Sequence, residues 1–320
     1  MKNIAIIEGG YSREKEISIK SAQKIFENID KTKLNPTKVF IDENEWTAYD
    51  SEGRYPIDKN SFSYIKENIR YNFDYAFIMI HGSPGEDGKL QSYFEMIGIP
   101  YNTSSSYLMA LTFHKFYCNQ LLKNFEINVP ASILIKPKDK IDENKIIKTI
   151  GLPCFVKPTA GGSSLGITKV KDKKDLTEAI KLALKLGGEA IIETLIIGRE
   201  ITNGVFRDED GIKVLPITEI ISKNEFFDYK AKYQGLSEEI TPAELDETTK
   251  NKVKKLTYEI YSILGLYGIV RIDYFIDREE NIYLIEINSI PGMSNESIIP
   301  KMLKTQGINF QFLLNKIIKF

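Results

Sequence analysis

The first hundred residues alternate short, continuous apolar runs with segments whose apolar residues recur every three or four positions. Continuous runs are typical of buried parallel strands, and the wider spacing is typical of helices. This pattern predicts strands at 3–7, 39–41, 75–80 and 99–101, and helices at 15–29 and 90–97. Because strand and helix alternate, we predict an open parallel α/β sheet for this part of the chain.

The pattern changes after residue 103. Apolar spacing predicts helices at 106–124, 141–150 and 173–187, and strands at 130–135, 154–157, 167–170 and 189–193. From residue 199 onward longer strands, at 199–206, 212–221, 267–276 and 281–287, surround one helix at 246–265. Such a mixture is typical of an α+β fold. We therefore predict three domains, at 1–103, 104–193 and 194–320.

One segment, residues 223–241, is polar and rich in glycine and aromatic side chains. It is long for a simple connection between two strands. Long loops of this kind are frequently lids over active sites. We therefore expect this segment to close over a ligand.

The composition is that of an ordinary globular protein, with 42% hydrophobic and 27% charged residues. The net charge of -1 shows no excess of basic residues of the kind that nucleic-acid-binding proteins carry. Two cysteines, Cys118 and Cys154, have neither metal-ligand spacing nor the number of a disulfide scaffold. No apolar run reaches the ~18 residues of a membrane helix, and no signal-peptide pattern opens the chain. We expect a cytoplasmic protein that binds neither nucleic acid nor membrane.

The sharpest local signal combines Arg271 and Asp273 with Glu286 and Asn288. In a strand, alternate residues share one face, so each pair of side chains points to one side. A turn near residues 279–281 would pair the two strands and bring three oxygen-bearing side chains together. Such ligands suit Mg²⁺ that bridges phosphates, and the arginine suits a phosphoryl group. For this motif alone, a surface hairpin with cross-strand charge pairs is an equally good interpretation.

Two weaker signals precede this hairpin. Lys157 is followed by the Gly- and Ser-rich loop 161–166, whose N–H groups and hydroxyls could bind an anion. Loops of this composition are, however, more often plain turns. Glu193 and Glu200 flank a junction between strands, where they could bind an adenine amine and ribose hydroxyls or be solvated acids.

Three further loops follow predicted strands. The glycine pair at 9–10 leads into the first helix, with Ser12 as its predicted N-cap, and a helix start at this place in an α/β sheet also binds anions. His81 opens a loop at the ligand-binding edge of the sheet, although a lone histidine is more often structural. Residues 291–297 could present backbone N–H groups to an oxyanion or a carboxylate.

Together, and in this order, these motifs resemble those of the D-alanine–D-alanine ligases of the ATP-grasp superfamily. The resemblance spans residues 3–318 and is carried by GGYSREKEIS, HGSPGEDGKLQ, GIPYNTSS, FVKPTAGGSSLGI, IIETLIIGREI, FFDYKAKY, VRIDYF and IEINSIPGMSNES. It implies an ATP-grasp fold with an amino-terminal α/β substrate domain. The central and carboxyl-terminal α+β subdomains would then enclose ATP, the last one carrying the metal site and the lid.

The resemblance also implies a mechanism for peptidoglycan synthesis. ATP phosphorylates a first D-alanine, the amine of a second D-alanine attacks the acyl-phosphate, and a tetrahedral intermediate expels phosphate. Two Mg²⁺ ions take part, with Mn²⁺ as a substitute. Contacts to ATP are implied for Lys115, Lys157, Ser164, Glu193, Glu200 and Lys232, and contacts to the metal ions for Asp273, Glu286 and Asn288.

Roles at the amino-acid sites follow from the same resemblance. They are catalytic for Glu14, Ser163, Tyr233, Arg271 and Gly292, and substrate-binding for His81, Ser297 and Ile298. Glu14 is expected to hold the ammonium group of the first D-alanine in a triad with Ser163 and Tyr233. Arg271 and the N–H of Gly292 are expected to stabilise the phosphoryl group and the oxyanion. Ser297 and the N–H of Ile298 are expected to receive the carboxylate of the second D-alanine.

Two positions depart from the family pattern. His114 precedes Lys115 where the family usually has an acid, and Ile298 follows Ser297 where it usually has leucine. A ligase for D-lactate or D-serine is the alternative within the family, and Tyr233 disfavours D-lactate because lactate-selective relatives replace or lack that tyrosine. A nucleotide-binding protein without turnover is the alternative outside it. The family also implies a homodimer.

Overall fold

The computed structural model describes residues 1–161, 166–222 and 237–319. Its amino-terminal part contains β1 (Lys2–Gly9), α1 (Lys15–Asn28), β2 (Leu34–Ile41), β3 (Trp46–Tyr49), β4 (Arg54–Pro56), β5 (Ser63–Lys66), β6 (Ile69–Asn72), β7 (Tyr75–Ile78) and α2 (Lys89–Ile97). Five of these strands form one sheet in the order β4–β3–β2–β1–β7, and β5 pairs with β6 in a separate hairpin.

The parallel α/β sheet predicted from the sequence is present at the centre of this part. β1 runs parallel to both β2 and β7, whereas β3 and β4 add an antiparallel edge. Strands of three or four residues are too short to produce a periodic signal, so this edge was not predicted. The strand predicted at 99–101 is reduced to a single bridge between Tyr101 and Ala76.

The middle of the chain forms a second sheet. It contains α3 (Ser106–Phe113), α4 (Lys115–Lys123), β8 (Ser132–Ile135), α5 (Glu143–Ile150), β9 (Cys154–Pro158), β10 (Thr168–Val170), a 3-10 turn (Lys173–Asp175), α6 (Leu176–Gly187) and β11 (Ala190–Thr194). The strands are antiparallel in the order β10–β9–β11–β8. The two strands predicted on either side of the Gly- and Ser-rich loop are therefore present, and they pair with each other in antiparallel orientation. The single helix predicted at 106–124 is wrong, because the chain breaks at His114.

The last part forms a third sheet. It contains β12 (Gly198–Asp208), β13 (Gly211–Ser222), β14 (Ser237–Ile240), α7 (Glu247–Ile263), β15 (Val270–Asp277), β16 (Ile282–Asn288), α8 (Ile298–Thr305) and α9 (Phe310–Ile317). Its strands follow the order β14–β13–β12–β15–β16. Most of the predicted lid, residues 223–236, lies outside the described residues. Its end was wrongly predicted as loop, because residues 237–240 pair with β13.

Among the described residues, three apolar cores pack against these sheets. The first joins the amino-terminal sheet to the last two helices, so that Ile6 and Phe77 share a cluster with Met302 and Leu314. The second lies under the third sheet and includes side chains from α3, α4 and α7. The third lies between the second sheet and helices α5 and α6. Within the described ranges, no helix is both long and apolar enough to span a membrane.

Candidate active site

A cavity of about 320 Å³ lies where loops of the first sheet face the ends of β15 and β16. Nine of the residues singled out in the sequence line it: Glu14, His81, Lys115, Arg271, Glu286, Asn288, Gly292, Ser297 and Ile298. The volume is at the lower end of the range of about 300–1,000 Å³ that is usual for small-molecule sites. The fold therefore collects residues that are far apart in the chain around one space.

Two loops of the first sheet form one wall of this cavity. The turn after β1 approaches the loop after β7 closely, because the N–H of Tyr11 donates to the carbonyl of Ser83 at 2.9 Å. Gly10 has a φ of +99°, and a Cβ at this position would lie 2.5 Å from Cγ2 of Ile80. Only glycine tolerates both the left-handed conformation and this close approach.

Ser12 joins these two loops and does not cap the first helix. Its hydroxyl donates to the carbonyl of His81 at 2.7 Å and accepts the N–H of Glu14 at 3.2 Å. Helix α1 begins at Lys15, and Glu14 occupies the N-cap position without a capping bond from its side chain. The N-cap predicted at Ser12 is therefore wrong, and its hydroxyl instead fixes Glu14 and His81 at the edge of the cavity.

The opposite wall is the hairpin of β15 and β16. Asp273 pairs with Glu286, and Arg271 with Asn288, at alternate register positions on one face of the hairpin. The Arg271 guanidinium donates a hydrogen bond to each oxygen of Asp273, at 2.9 and 2.8 Å. The amide of Asn288 donates to the same carboxylate at 2.9 Å. Asp273 is only 9% exposed, so its carboxylate is not a solvated surface group.

Lys115 connects this hairpin to the central sheet. Its Nζ lies 3.2 Å from Oε2 of Glu286 and donates to the carbonyl of Gly161 at 2.9 Å. Burial disfavours the charge of this ammonium, but the Glu286 carboxylate, with Glu86 and Glu193 farther away, outweighs it and raises the pKa of Lys115. The lysine is therefore a fixed positive charge between the Gly- and Ser-rich loop and the acids of the hairpin.

A second ion pair lies in the central sheet. Nζ of Lys157 on β9 is 2.6 Å from Oε2 of Glu193 on β11, and both side chains are more than nine-tenths buried. The other oxygen of Glu193 is buried and has no hydrogen-bond partner within the described part of the chain. Glu200 follows on β12 and is half-buried. These three residues lie beyond the cavity lining as the described residues define it.

The floor of the cavity is the turn between β16 and α8. A Cβ on Gly292 would lie 2.7 Å from the hydroxyl oxygen of Ser297, so a side chain at this position would displace that hydroxyl. That hydroxyl also lies 2.9 Å from the hydroxyl of Ser294. Ile298 is the first residue of α8, and the first N–H groups of a helix have no partner within it.

Comparisons with known proteins match this arrangement over the whole chain. Residues 3–104 match the family model described as D-ala D-ala ligase N-terminus, and residues 121–319 match the D-ala D-ala ligase C-terminus. The D-alanine–D-alanine ligase of Phocaeicola vulgatus is 45% identical over 99% of this chain and 98% of that protein. That of Azobacteroides pseudotrichonymphae is 44% identical over 100% and 99%. The chain belongs to the D-alanine–D-alanine ligase family.

Solved structures of this family have the same fold. The VanG D-Ala:D-Ser ligase of Enterococcus faecalis superposes with a TM-score of 0.86 at 32% identity, covering 99% of this chain and 98% of that one. The Bacillus anthracis D-alanine–D-alanine ligase complexed with ATP gives 0.80 at 28% identity, covering 99% and 96%. The ATP-grasp fold predicted from the sequence is thus confirmed.

Some residues that line the cavity of this ligase-family chain received no individual role in the sequence analysis: Lys20, Glu86, Glu239, Ser294 and Glu296. Glu86 lies in the motif that supplied His81, and its Oε2 accepts the N–H of Gly82 at 2.7 Å. The motif itself was the signal, but nothing local distinguishes Glu86 from the neighbouring Asp87. Four predicted residues, Ser163, Ser164, Lys232 and Tyr233, lie outside the described residues.

Proposed function

We propose that this chain joins two D-alanine molecules into D-alanyl-D-alanine for peptidoglycan, using ATP and an acyl-phosphate. The main support is a single cavity that is acidic at Glu14, carries the opposite charges of Arg271 and Glu286, and ends on the helix start at Ser297. Those three parts suit an ammonium group, a transferred phosphoryl group and a carboxylate, respectively. All curated relatives named above are D-alanine–D-alanine ligases.

The central sheet fits ATP as the second substrate. The buried Glu193 oxygen that has no partner in the described part of the chain suits a donor such as the adenine amine. A buried carboxylate oxygen without a donor is costly, so a ligand that supplies one is favoured there. In this proposal Lys157 and Lys115 bind phosphate oxygens, and Glu200 binds a ribose hydroxyl.

The hairpin residues fit Mg²⁺ shared with the phosphates. The described residues contain no cluster of three His, Cys, Asp or Glu side chains that could hold an ion alone. Asp273, Glu286 and Asn288 offer two carboxylates and an amide, which suits a hard cation that takes its other ligands from phosphate and water. When bound, Mg²⁺ or Mn²⁺ supplies positive charge against the phosphate oxygens. We propose two such ions.

The chain's own residues orient the two amino acids. In this proposal Glu14 holds the ammonium group of the first D-alanine, with His81 beside it. Arg271 and the N–H of Gly292 stabilise the negative charge that develops at the reacting centre. The hydroxyl of Ser297 and the N–H of Ile298 hold the carboxylate of the second D-alanine, so that its amine faces the acyl-phosphate.

An assay of phosphate release with product identification by mass spectrometry tests this proposal. The purified chain is incubated with ATP, Mg²⁺ and, in turn, D-alanine, L-alanine, D-serine or D-lactate alone, and then with D-alanine together with D-serine or D-lactate. We expect D-alanine to support phosphate release and formation of D-alanyl-D-alanine, with L-alanine at background. Absence of the dipeptide with D-alanine would contradict the proposal.

A D-serine acceptor is the second candidate for the same site. It is favoured by the similarity to the VanG D-Ala:D-Ser ligase, at 32% identity. In the assay this alternative gives the mixed D-alanyl-D-serine product when both amino acids are present. The homodimer and the cytoplasmic location are also part of the proposal, and light scattering of the purified chain tests the dimer.

A further inference from the structure

The break between α3 and α4 carries contacts that the proposed chemistry does not use. His114 has an extended backbone (φ −92°, ψ 91°), and its N–H closes α3 by donating to the carbonyl of Ala110 at 3.3 Å. Its ring nitrogen Nδ1 accepts the N–H of Tyr117 at 3.4 Å, which caps α4. Lys115, the next residue, is the first of α4 and lines the cavity.

The second ring nitrogen of His114 contacts the central sheet. Its Nε2 lies 2.8 Å from Oε2 of Glu189, the residue before β11. Because Nδ1 accepts a hydrogen bond, the neutral ring carries its proton on Nε2 and donates it to this carboxylate. Two backbone bonds run beside this contact: the N–H of Lys115 donates to the carbonyl of Thr159 at 3.0 Å, and the N–H of Thr159 donates to the carbonyl of Glu189 at 3.2 Å. The four residues therefore form a closed ring of contacts.

Lys115 is the functional group that this ring holds in place. Its ammonium reaches both Gly161, in the loop after β9, and Glu286, on β16. A lysine side chain has a high rotamer entropy, so its reach depends on how firmly its backbone is anchored. We propose that His114 and Glu189 form a latch that positions Lys115 for the phosphate groups of ATP. This latch rests on the proposed function, and both of its members are positioning residues.

Substitutions at position 114 can separate the cap from the latch. In His114→Asn the short amide places an acceptor near the Nδ1 position, so the cap of α4 is kept but Glu189 is out of reach. In His114→Gln the longer amide places an N–H near the Nε2 position, so the contact with Glu189 is kept. Glu189→Ala removes the partner. Lys136→Ala is the matched control, because its Nζ lies 3.8 Å from the other Glu189 oxygen.

The measurement is calorimetric titration of each variant with a non-hydrolysable ATP analogue and Mg²⁺, with a thermal melt to verify folding. We expect His114→Asn and Glu189→Ala to weaken analogue binding by about five- to tenfold, as for loss of a charge-assisted hydrogen bond. The double variant that combines His114→Asn with Glu189→Ala should bind the analogue no more weakly than either single variant. His114→Gln and Lys136→Ala should stay within about twofold of the wild type, the usual range for surface changes.

Equal analogue affinity in His114→Asn and the wild type, or fully additive losses in the double variant, would overturn the latch. Steady-state assays give a second readout: the latch predicts a higher KM for ATP with an unchanged KM for D-alanine. A wild-type chain that binds the analogue but makes no dipeptide would contradict the proposed function, while the binding series would still decide the latch. A wild-type chain that binds no analogue would contradict both the latch and the proposed function.

Discussion

Glu86 is a carboxyl group inside the site whose charge depends on pH near neutrality. Loss of solvent raises its pKa to about 7, and the nearby Glu14 carboxylate adds to the rise. The N–H of Gly82 on its Oε2 opposes this shift without cancelling it. Titratable groups with perturbed pKa values concentrate at functional sites, which sets Glu86 apart from the exposed acids of the chain.

We predict that Glu86→Gln changes the pH dependence of stability in the ligand-free protein. Because the folded pKa lies above the ordinary value of 4.5, the carboxyl group stabilises the fold fully below that value and loses this contribution as pH rises through about 7. The free energy of unfolding of Glu86→Gln should therefore exceed that of the wild type by a margin that grows by about 1–3 kcal/mol between pH 5 and 8.

Urea unfolding at a series of pH values measures this margin. The matched control is Glu43→Gln, at an exposed position between β2 and β3, which should follow the wild type throughout. A constant margin for Glu86→Gln over the whole pH range would mean that the carboxyl group does not titrate differently in the folded state.

At the scale of elements, local pattern predicted the hairpin of β15 and β16 and failed at the break between α3 and α4. Alternation in a strand is a local property, and it was enough to predict that Asp273 and Glu286 lie on two paired strands; the structure places them opposite each other. The break at His114 depends on the backbone bond from Lys115 to Thr159, which joins residues distant in the chain. Apolar spacing continues through the break, so periodicity alone predicts one helix.

The hairpin supports a prediction that separates activity from stability. Asp273→Asn and Glu286→Gln each remove an anionic oxygen from the proposed metal site, so each should lower phosphate release by at least about 100-fold. Asp273 is also the counter-charge of the buried Arg271 guanidinium. Breaking a buried pair costs about 3–5 kcal/mol, so Asp273→Asn should lower the thermal midpoint as well. Glu286 is the counter-charge of the similarly buried Lys115 ammonium, but it is itself more exposed, so Glu286→Gln should lower the midpoint by a smaller amount.

Phosphate release with D-alanine and a thermal melt of each variant test this pair of effects. A control must not disturb β16 itself; Asn119→Asp would do so, because the side-chain amide of Asn119 donates a hydrogen bond to the carbonyl of Ile285. Glu279→Gln, in the exposed turn of the same hairpin, is the matched control and should keep both activity and midpoint. Near-normal turnover in Glu286→Gln at ordinary Mg²⁺ would remove this residue from the metal site.

At the scale of the whole molecule, packing does not follow the order of the chain. Helices α3 and α4 contribute Leu108 and Leu122 to the core under the third sheet, and Leu314 near the end of the chain packs on the first sheet. Such long-range contacts leave no local signature, so the division at 103 and 193 stays a prediction. The family resemblance, not periodicity, anticipated that residues of the first and last parts would line one cavity.

The two cysteines lie in two different apolar cores. Cys154 lies on β9 in the core of the second sheet, three positions before Lys157, whereas Cys118 lies on α4 in the core of the third sheet. Burial raises the pKa of Cys118 to about 12 and that of Cys154 to about 11. Only the thiolate reacts with disulfide reagents, so both should be inert at neutral pH until their core opens.

We predict that the two thiols become reactive at different urea concentrations. Among the described residues, the core around Cys154 is the smallest of the three, so in Cys118→Ala labelling of Cys154 should begin at lower urea than labelling of Cys118 in Cys154→Ala. A ligand that binds only the folded state stabilises it by mass action. Since Lys157 and Glu193 belong to the Cys154 core region, an ATP analogue with Mg²⁺ should move the Cys154 midpoint upward. Coincident midpoints that the analogue shifts equally would mean that the two cores unfold as one cooperative unit.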